Sequence, residues 1–168
     1  GVMKRKRPAR ERLCRTQVSK VIPIPPTMVR TWGEGLMLVP APLEIEALMR
    51  EIPKGVVVSV KEIRRELARR HGADVTCPLV TELFWRTIAE AAIEEGSEGV
   101  ADITPYWRVV KDDGSLNERL PGGVRLQAGR LVEEGHLLLR SRGTQRIRVP
   151  FESELRPPLW LRASGFLH

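Results

Sequence analysis

Val56-Val57-Val58-Ser59-Val60-Lys61-Glu62-Ile63 opens the stretch that decides the fold. The valines read as a short β segment, Ser59 as the N-cap of a helix, and Glu62, three residues on, as its capping-box partner. Ile63, Leu67 and Ala68 form the apolar stripe of that helix, and Gly72 closes it. A second helix is predicted over 78–95, with Thr76 as a candidate cap and Pro78 in the first turn. Val80, Phe84, Ile88 and Ala91 or Ala92 share one of its faces. Two helices joined by a short turn make a helix-turn-helix unit.

Working outward, Ile45, Leu48, Met49 and Ile52 fall at helical spacing just upstream, and Pro53 with Gly55 stops that helix. Farther back, the prolines of Val21-Ile22-Pro23-Ile24-Pro25-Pro26 exclude a helix and read as a linker or edge strand leading into a short strand over 36–39. Downstream, a hairpin over 108–120 around Asp112-Asp113-Gly114 reads as a wing, and 124–134 as the last core helix. Segments 137–140 and 146–151 read as strands around Gly143. The expected class is mainly α with small β content, a winged helix-turn-helix. Its expected layout is a basic flexible arm over 1–20, an extended lead-in over 21–41, the domain over 42–135 and a C-terminal extension over 136–168.

Charge is unevenly spread along the 168 residues, whose formal net is +7. Residues 1–15 hold seven Lys/Arg against Glu11, a net of +6, and Arg140 to the end holds six Arg against Glu152 and Glu154, a net of +4. The middle therefore carries −3, and the high isoelectric point belongs to the ends. Lys4, Arg5, Lys6 and Arg7 suit a polyphosphate partner, which such arms bind by counterion release without reading sequence; a solvated leader is the competing reading. Cys14 and Cys77 stand alone, with no CxxC and no paired histidines, which argues against a structural zinc site or a disulfide framework. With no membrane-length apolar run and no signal-peptide core, the expectation is an intracellular, cytoplasmic protein without cofactor or metal.

The hexapeptide Pro105-Tyr106-Trp107-Arg108-Val109-Val110 resembles the Pro-Cys-His-Arg-Val-Val motif of the O6-alkylguanine-DNA alkyltransferases. The resemblance covers roughly 42–135, the family's DNA-binding domain. It takes in Ile52-Pro53-Lys54-Gly55 with Val57-Val58-Ser59, the wing at Asp113-Gly114-Ser115-Leu116, and Gly122-Gly123 leading to Glu133-Glu134-Gly135. In that family the cysteine thiolate takes an alkyl group from guanine, its pKa lowered by histidine, water and glutamate. The matching positions here are Tyr106, Trp107 and Glu134. A phenol with an ordinary pKa of about 10 and no histidine beside it is a poor nucleophile, so the resemblance implies no catalytic residue. Substitution of the cysteine resembles the alkyltransferase-like branch, which binds alkylated DNA without repairing it; loss of the histidine departs from that branch.

Tyr106, Trp107, Arg108 and Glu134 are accordingly the expected lesion pocket, with Arg108 bracing its loop. The aromatic pair could stack on a displaced base or plug the pocket. Trp85-Arg86-Thr87-Ile88-Ala89 resembles the segment bearing the family's arginine finger, which makes Arg86 the candidate, against an ordinary helix arginine. Trp85, Ser59 and Thr76 complete the expected DNA contacts, the last two through helix starts that could hold phosphates. Val60 replaces the family's base-flipping tyrosine, and an acidic insertion over 94–99 lengthens the chain between Arg86 and Tyr106.

The leading expectation is a non-catalytic protein binding damaged or distorted double-stranded DNA, with other repair proteins as further partners. A winged-helix regulator reading intact duplex is the alternative. A base-excision glycosylase using Asp102 or Glu134 is the third.

Overall fold

A computed structural model of the chain describes residues 8–15, 18–140 and 146–150. The core forms where α3 (Pro42–Glu51), α4 (Val60–His71) and α5 (Pro78–Ser97) meet. Ile45, Leu48 and Met49 of α3, Ile63 and Leu67 of α4, and Trp85, Ile88, Ala89, Ala91 and Ala92 of α5 are all fully buried there. Ser59 caps α4 by accepting the Glu62 N–H at 3.4 Å, but the Glu62 carboxylate turns to Arg65 at 3.3 Å, so the capping box is half made. Gly72, at φ 64°, ends α4 in the left-handed conformation that glycine adopts without steric cost.

Strand β3 (Val58–Ser59) runs parallel to β5 (Val109–Val110), pairing Val58 with Val109, and this pins the segment after Tyr106 to the start of α4. On another side, β1 (Lys20–Pro23), β2 (Leu36–Val39) and β4 (Val75–Thr76) form a sheet in the order β1-β2-β4. β1 is its antiparallel edge and β2 lies parallel to β4. The edge-strand reading of 21–23 and the strand at 36–39 therefore hold, but the separate lead-in does not. It contains a further helix, α2 (Pro26–Trp32), and its strand β2 pairs inside the helix-turn-helix.

The flexible arm is corrected over its described part. Ala9–Arg15 is a helix, α1, whose Ala9 and Leu13 are buried against α5 and α3. Its cations face carboxylates instead of solvent. Arg10 spans Glu46 and Glu95, at 2.8 Å to each, and Arg12 meets Glu90 at 2.6 Å. The Ala9 N–H, one of the donors a helix start leaves unpaired, donates to Glu94 at 3.0 Å. The acidic insertion thus has a structural use, as α5 runs on to Ser97 and its carboxylates receive α1.

The wing also differs from expectation. Lys111 N–H donates to Ser115 O at 2.9 Å around Gly114, closing a turn, but the strand partners come from elsewhere. The first arm is β5, held by β3, and the second meets the C-terminal segment, where Ser115 bridges Arg148 and Leu116 N–H donates to Ile147 O at 2.9 Å. α6 (Gly123–Glu133) follows the wing, then β6 (Leu139–Arg140) and β7 (Ile147–Arg148) pair antiparallel. Val149 is buried in the main core, so the described part of the extension belongs to the domain. Cys77 is buried in a smaller cluster with Ile24 and Met37, whereas Cys14 is exposed. Among the described residues no helix is long and apolar enough to cross a membrane, and no group of three or more His, Cys, Asp or Glu is placed to hold a metal.

Candidate nucleic-acid interface

Tyr106–Arg108 forms a single 3-10 turn between α5 and β5. It is anchored from α5 by Trp85, whose indole N–H donates to Tyr106 O at 3.3 Å. Tyr106 points inward and is 1% exposed, and its hydroxyl is buried with no hydrogen-bond partner among the described residues. Burial pushes the phenol pKa up, partly countered by the nearby charge of Arg130. Trp107 meets the Tyr106 ring edge to face, centroids 5.4 Å apart, and is itself buried. Its indole N–H donates to Glu134 at 3.0 Å, and the Arg130 guanidinium lies 4.6 Å from its ring centre.

Glu134, just past the end of α6, also accepts from Arg108 at 2.8 and 2.7 Å, while Arg108 donates a further bond to Ile52 O at 2.6 Å. Burial works against ionising Glu134, but the bonds from Arg108 and Trp107 more than offset it and hold the carboxyl below its ordinary range. The four residues expected to form a lesion pocket are therefore brought together, as a filled cluster. Beside it lies a cleft of about 390 Å³ whose lining includes Arg50, Asp102, Pro105, Trp107 and Arg130.

The two carboxylates considered for base excision lie in different surroundings. Both oxygens of Glu134 are occupied, and the Asp102 side chain is fully exposed, 3.8 Å from Arg50.

On α5, Arg86 is half-buried and its Nε is buried with no hydrogen-bond partner among the described residues. Leu79 and Leu83, two turns and one turn ahead of it, are 72% and 48% exposed. Two expected DNA contacts are corrected. Trp85 is fully buried and holds the Tyr106 turn. Thr76 is 3% exposed and spends its hydroxyl on Arg64 O at 2.7 Å; the α5 N-cap is Cys77. Ser59 is half-buried at the start of α4, and Lys4, Arg5, Lys6 and Arg7 lie outside the described residues.

Two buried polar residues that the sequence did not single out tie these parts together. Gln127 of α6 is fully buried, donates to Val109 O at 2.9 Å and Trp107 O at 3.3 Å, and accepts from Asn117 N–H at 3.0 Å. Asn117 in turn donates to Glu82 of α5 at 3.0 Å, joining the wing to the helix that carries Arg86. Gln127 left only the signal of a polar side chain on the buried face of a helix, and Asn117, in the loop after the wing turn, left none.

No family model matches the chain, and no curated protein is recognisably similar in sequence. Among solved structures, the chain is similar to S. pombe ATL in complex with DNA, at 20% identity and a TM-score of 0.50, covering 70% of this chain and 94% of that one. A second similar structure is S. pombe Atl1 in complex with damaged DNA containing O6-carboxymethylguanine, with the same identity and coverage and a TM-score of 0.48. The chain has the alkyltransferase-like helix-turn-helix fold.

Proposed function

We propose that the protein is a non-catalytic, alkyltransferase-like binder of double-stranded DNA that recognises alkylated or otherwise distorted duplex. The observation that carries the reading is Tyr106, a buried phenol with a raised pKa, which the resemblance of the hexapeptide matches to the thiolate of the alkyltransferases. Alkyl transfer requires an ionised, accessible nucleophile, and this atom is neither. Similarity to a solved alkyltransferase-like protein bound to DNA supports the choice of ligand. Arg86 supports the choice of surface, because a guanidinium Nε left unpaired on the second helix of a helix-turn-helix gains a partner when it enters a groove.

The test compares affinities for matched duplexes carrying O6-methylguanine, an abasic site or plain guanine, with intact-mass measurement of the protein afterwards. The expected result is preference for the modified duplexes, no added alkyl mass, and at least tenfold weaker binding by Arg86→Ala. An alkylated protein mass would overturn the non-catalytic reading. Equal affinity for all three duplexes would instead favour a regulator reading intact DNA, a second reading that the filled space around Tyr106 and Trp107 keeps open.

A further inference from the structure

A cleft of about 360 Å³ lies between the end of α2, one face of α4 and the segment leading into β4. Trp32 forms one wall, and Ala68, Ala73 and Val75 supply apolar lining. The basic side chains at its edge are Lys61, Arg64, Arg65 and Arg69. α2 has no buried residue, so Trp32 is not a core residue; it is 37% exposed at the helix end. Lys61 has no ion-pair partner within 4 Å among the described residues.

Arg65 and Arg69 have side chains 58% and 57% exposed, and reach Glu62 at 3.3 Å and Glu66 at 2.7 Å. Both arginines keep these sheltered carboxylates, Glu66 being 1% and Glu62 13% exposed, and their exposed guanidinium N–H groups not spent on them face the cleft edge, where a phosphate can accept them. Arg64 is fixed by Asp112 at 2.9 Å, and Asp74, the carboxylate within the cleft, is engaged by the Leu36 N–H at 2.8 Å.

We propose that this cleft binds an unpaired nucleotide of single-stranded DNA, the base stacked on Trp32 and the flanking phosphates held by Lys61, Arg65 and Arg69. An aromatic face beside exposed cations is the chemistry by which proteins hold single strands without reading sequence. The volume lies within the range of sites that take one small ligand. A paired base cannot use it, since a duplex hides the faces of its bases. An acidic peptide would satisfy the cations but leave the indole wall and apolar lining unused, which favours the nucleotide. The site does not depend on Arg86 or Tyr106, so it stands apart from lesion recognition.

The test is fluorescence anisotropy of the full chain with a short labelled oligo(dT), and in parallel with a blunt duplex. Trp32→Ala is expected to weaken oligo(dT) binding about 5- to 100-fold, the effect of losing one stacked base, and to leave duplex affinity unchanged. Trp32→Phe should restore most of the loss, and Lys61→Glu should reproduce it. Arg86→Ala should do the reverse, weakening duplex binding alone, so this proposal and the duplex-binding proposal fail separately. Thermal melts confirm that each variant is folded, which the lack of buried residues on α2 favours. Equal oligo(dT) affinity of wild type and Trp32→Ala overturns the proposal. So does an absence of oligo(dT) binding at low salt, or a poly-glutamate that binds through Trp32 and is not displaced by oligo(dT).

Discussion

The Tyr106 hydroxyl is a buried donor with no partner among the described residues, a situation that costs about 1 to 3 kcal/mol. Tyr106→Phe is therefore expected to leave stability unchanged or raise it by about 1 kcal/mol, whereas Tyr106→Ala, which empties the ring's space, should cost about 3 to 5 kcal/mol. Chemical denaturation of both variants checks this; a large loss in the Phe variant would reveal a hidden partner for the hydroxyl. Glu134 allows a second prediction, with a definite sign in pH. Its folded pKa lies below the ordinary value, as does that of Glu46, where burial is opposed by bonds from Arg10 and Thr104. Each contribution is fully present above the unfolded carboxylate pKa, about 4.3, and is lost as pH falls through the lower folded value. Glu62 behaves oppositely, because burial raises its pKa and its ionisation opposes folding near neutrality. Glu134→Gln should thus destabilise by about 1 to 3 kcal/mol at neutral pH, with the gap to wild type narrowing below about pH 4.3. Urea melts across that pH range read the narrowing, and a constant gap would contradict it.

Among the elements, α1 and the far end of α5 explain one another. Arg10 sits between Glu46 and Glu95 with its own pKa raised, chiefly by the Glu46 bond, and removing it would leave two carboxylates facing each other near the core. Arg10→Ala is expected to cost about 3 kcal/mol and Leu13→Ala about 2 to 5 kcal/mol. Neither should change how duplex affinity depends on salt, since both side chains serve α5 and α3. Melting temperatures paired with salt titrations distinguish this latch from a DNA-contacting arm. The helices at 60–71 and 78–97 were legible in the sequence because apolar periodicity, a serine cap, a left-handed glycine and a first-turn proline all agreed. α1 was not, because only Ala9 and Leu13 mark its buried face within a run of charges. The wing was legible only as a turn, since its strand partners, β3 and the segment around Arg148, lie far away in sequence.

At the scale of the molecule, part of the positive charge at the N-terminus is neutralised internally by Glu46, Glu90 and Glu95. Cations that those three carboxylates do not hold include Arg86, Lys61 and the exposed arginines of α4. Removing residues 1–7 is expected to lower the slope of log affinity against log salt by about 0.9 for each phosphate that Lys4, Arg5, Lys6 and Arg7 had neutralised, with little change in melting temperature. A slope unaltered by the truncation would show that these residues do not touch the backbone.

Local chemistry alone settled a good deal about this protein. Caps, breakers and helical spacing marked its central helices, and the hexapeptide around Tyr106 carried the resemblance from which the proposed function starts. Tertiary structure decided the rest. It packed Trp85 and Thr76 inward, closed the Tyr106–Trp107–Glu134 space, turned a basic arm into a packed helix and set Trp32 at the mouth of a basic cleft. The reason is that burial and ion pairing are properties of neighbours, and the neighbours that matter here, Arg10 with Glu95 or Trp107 with Glu134, are brought together only when the chain folds.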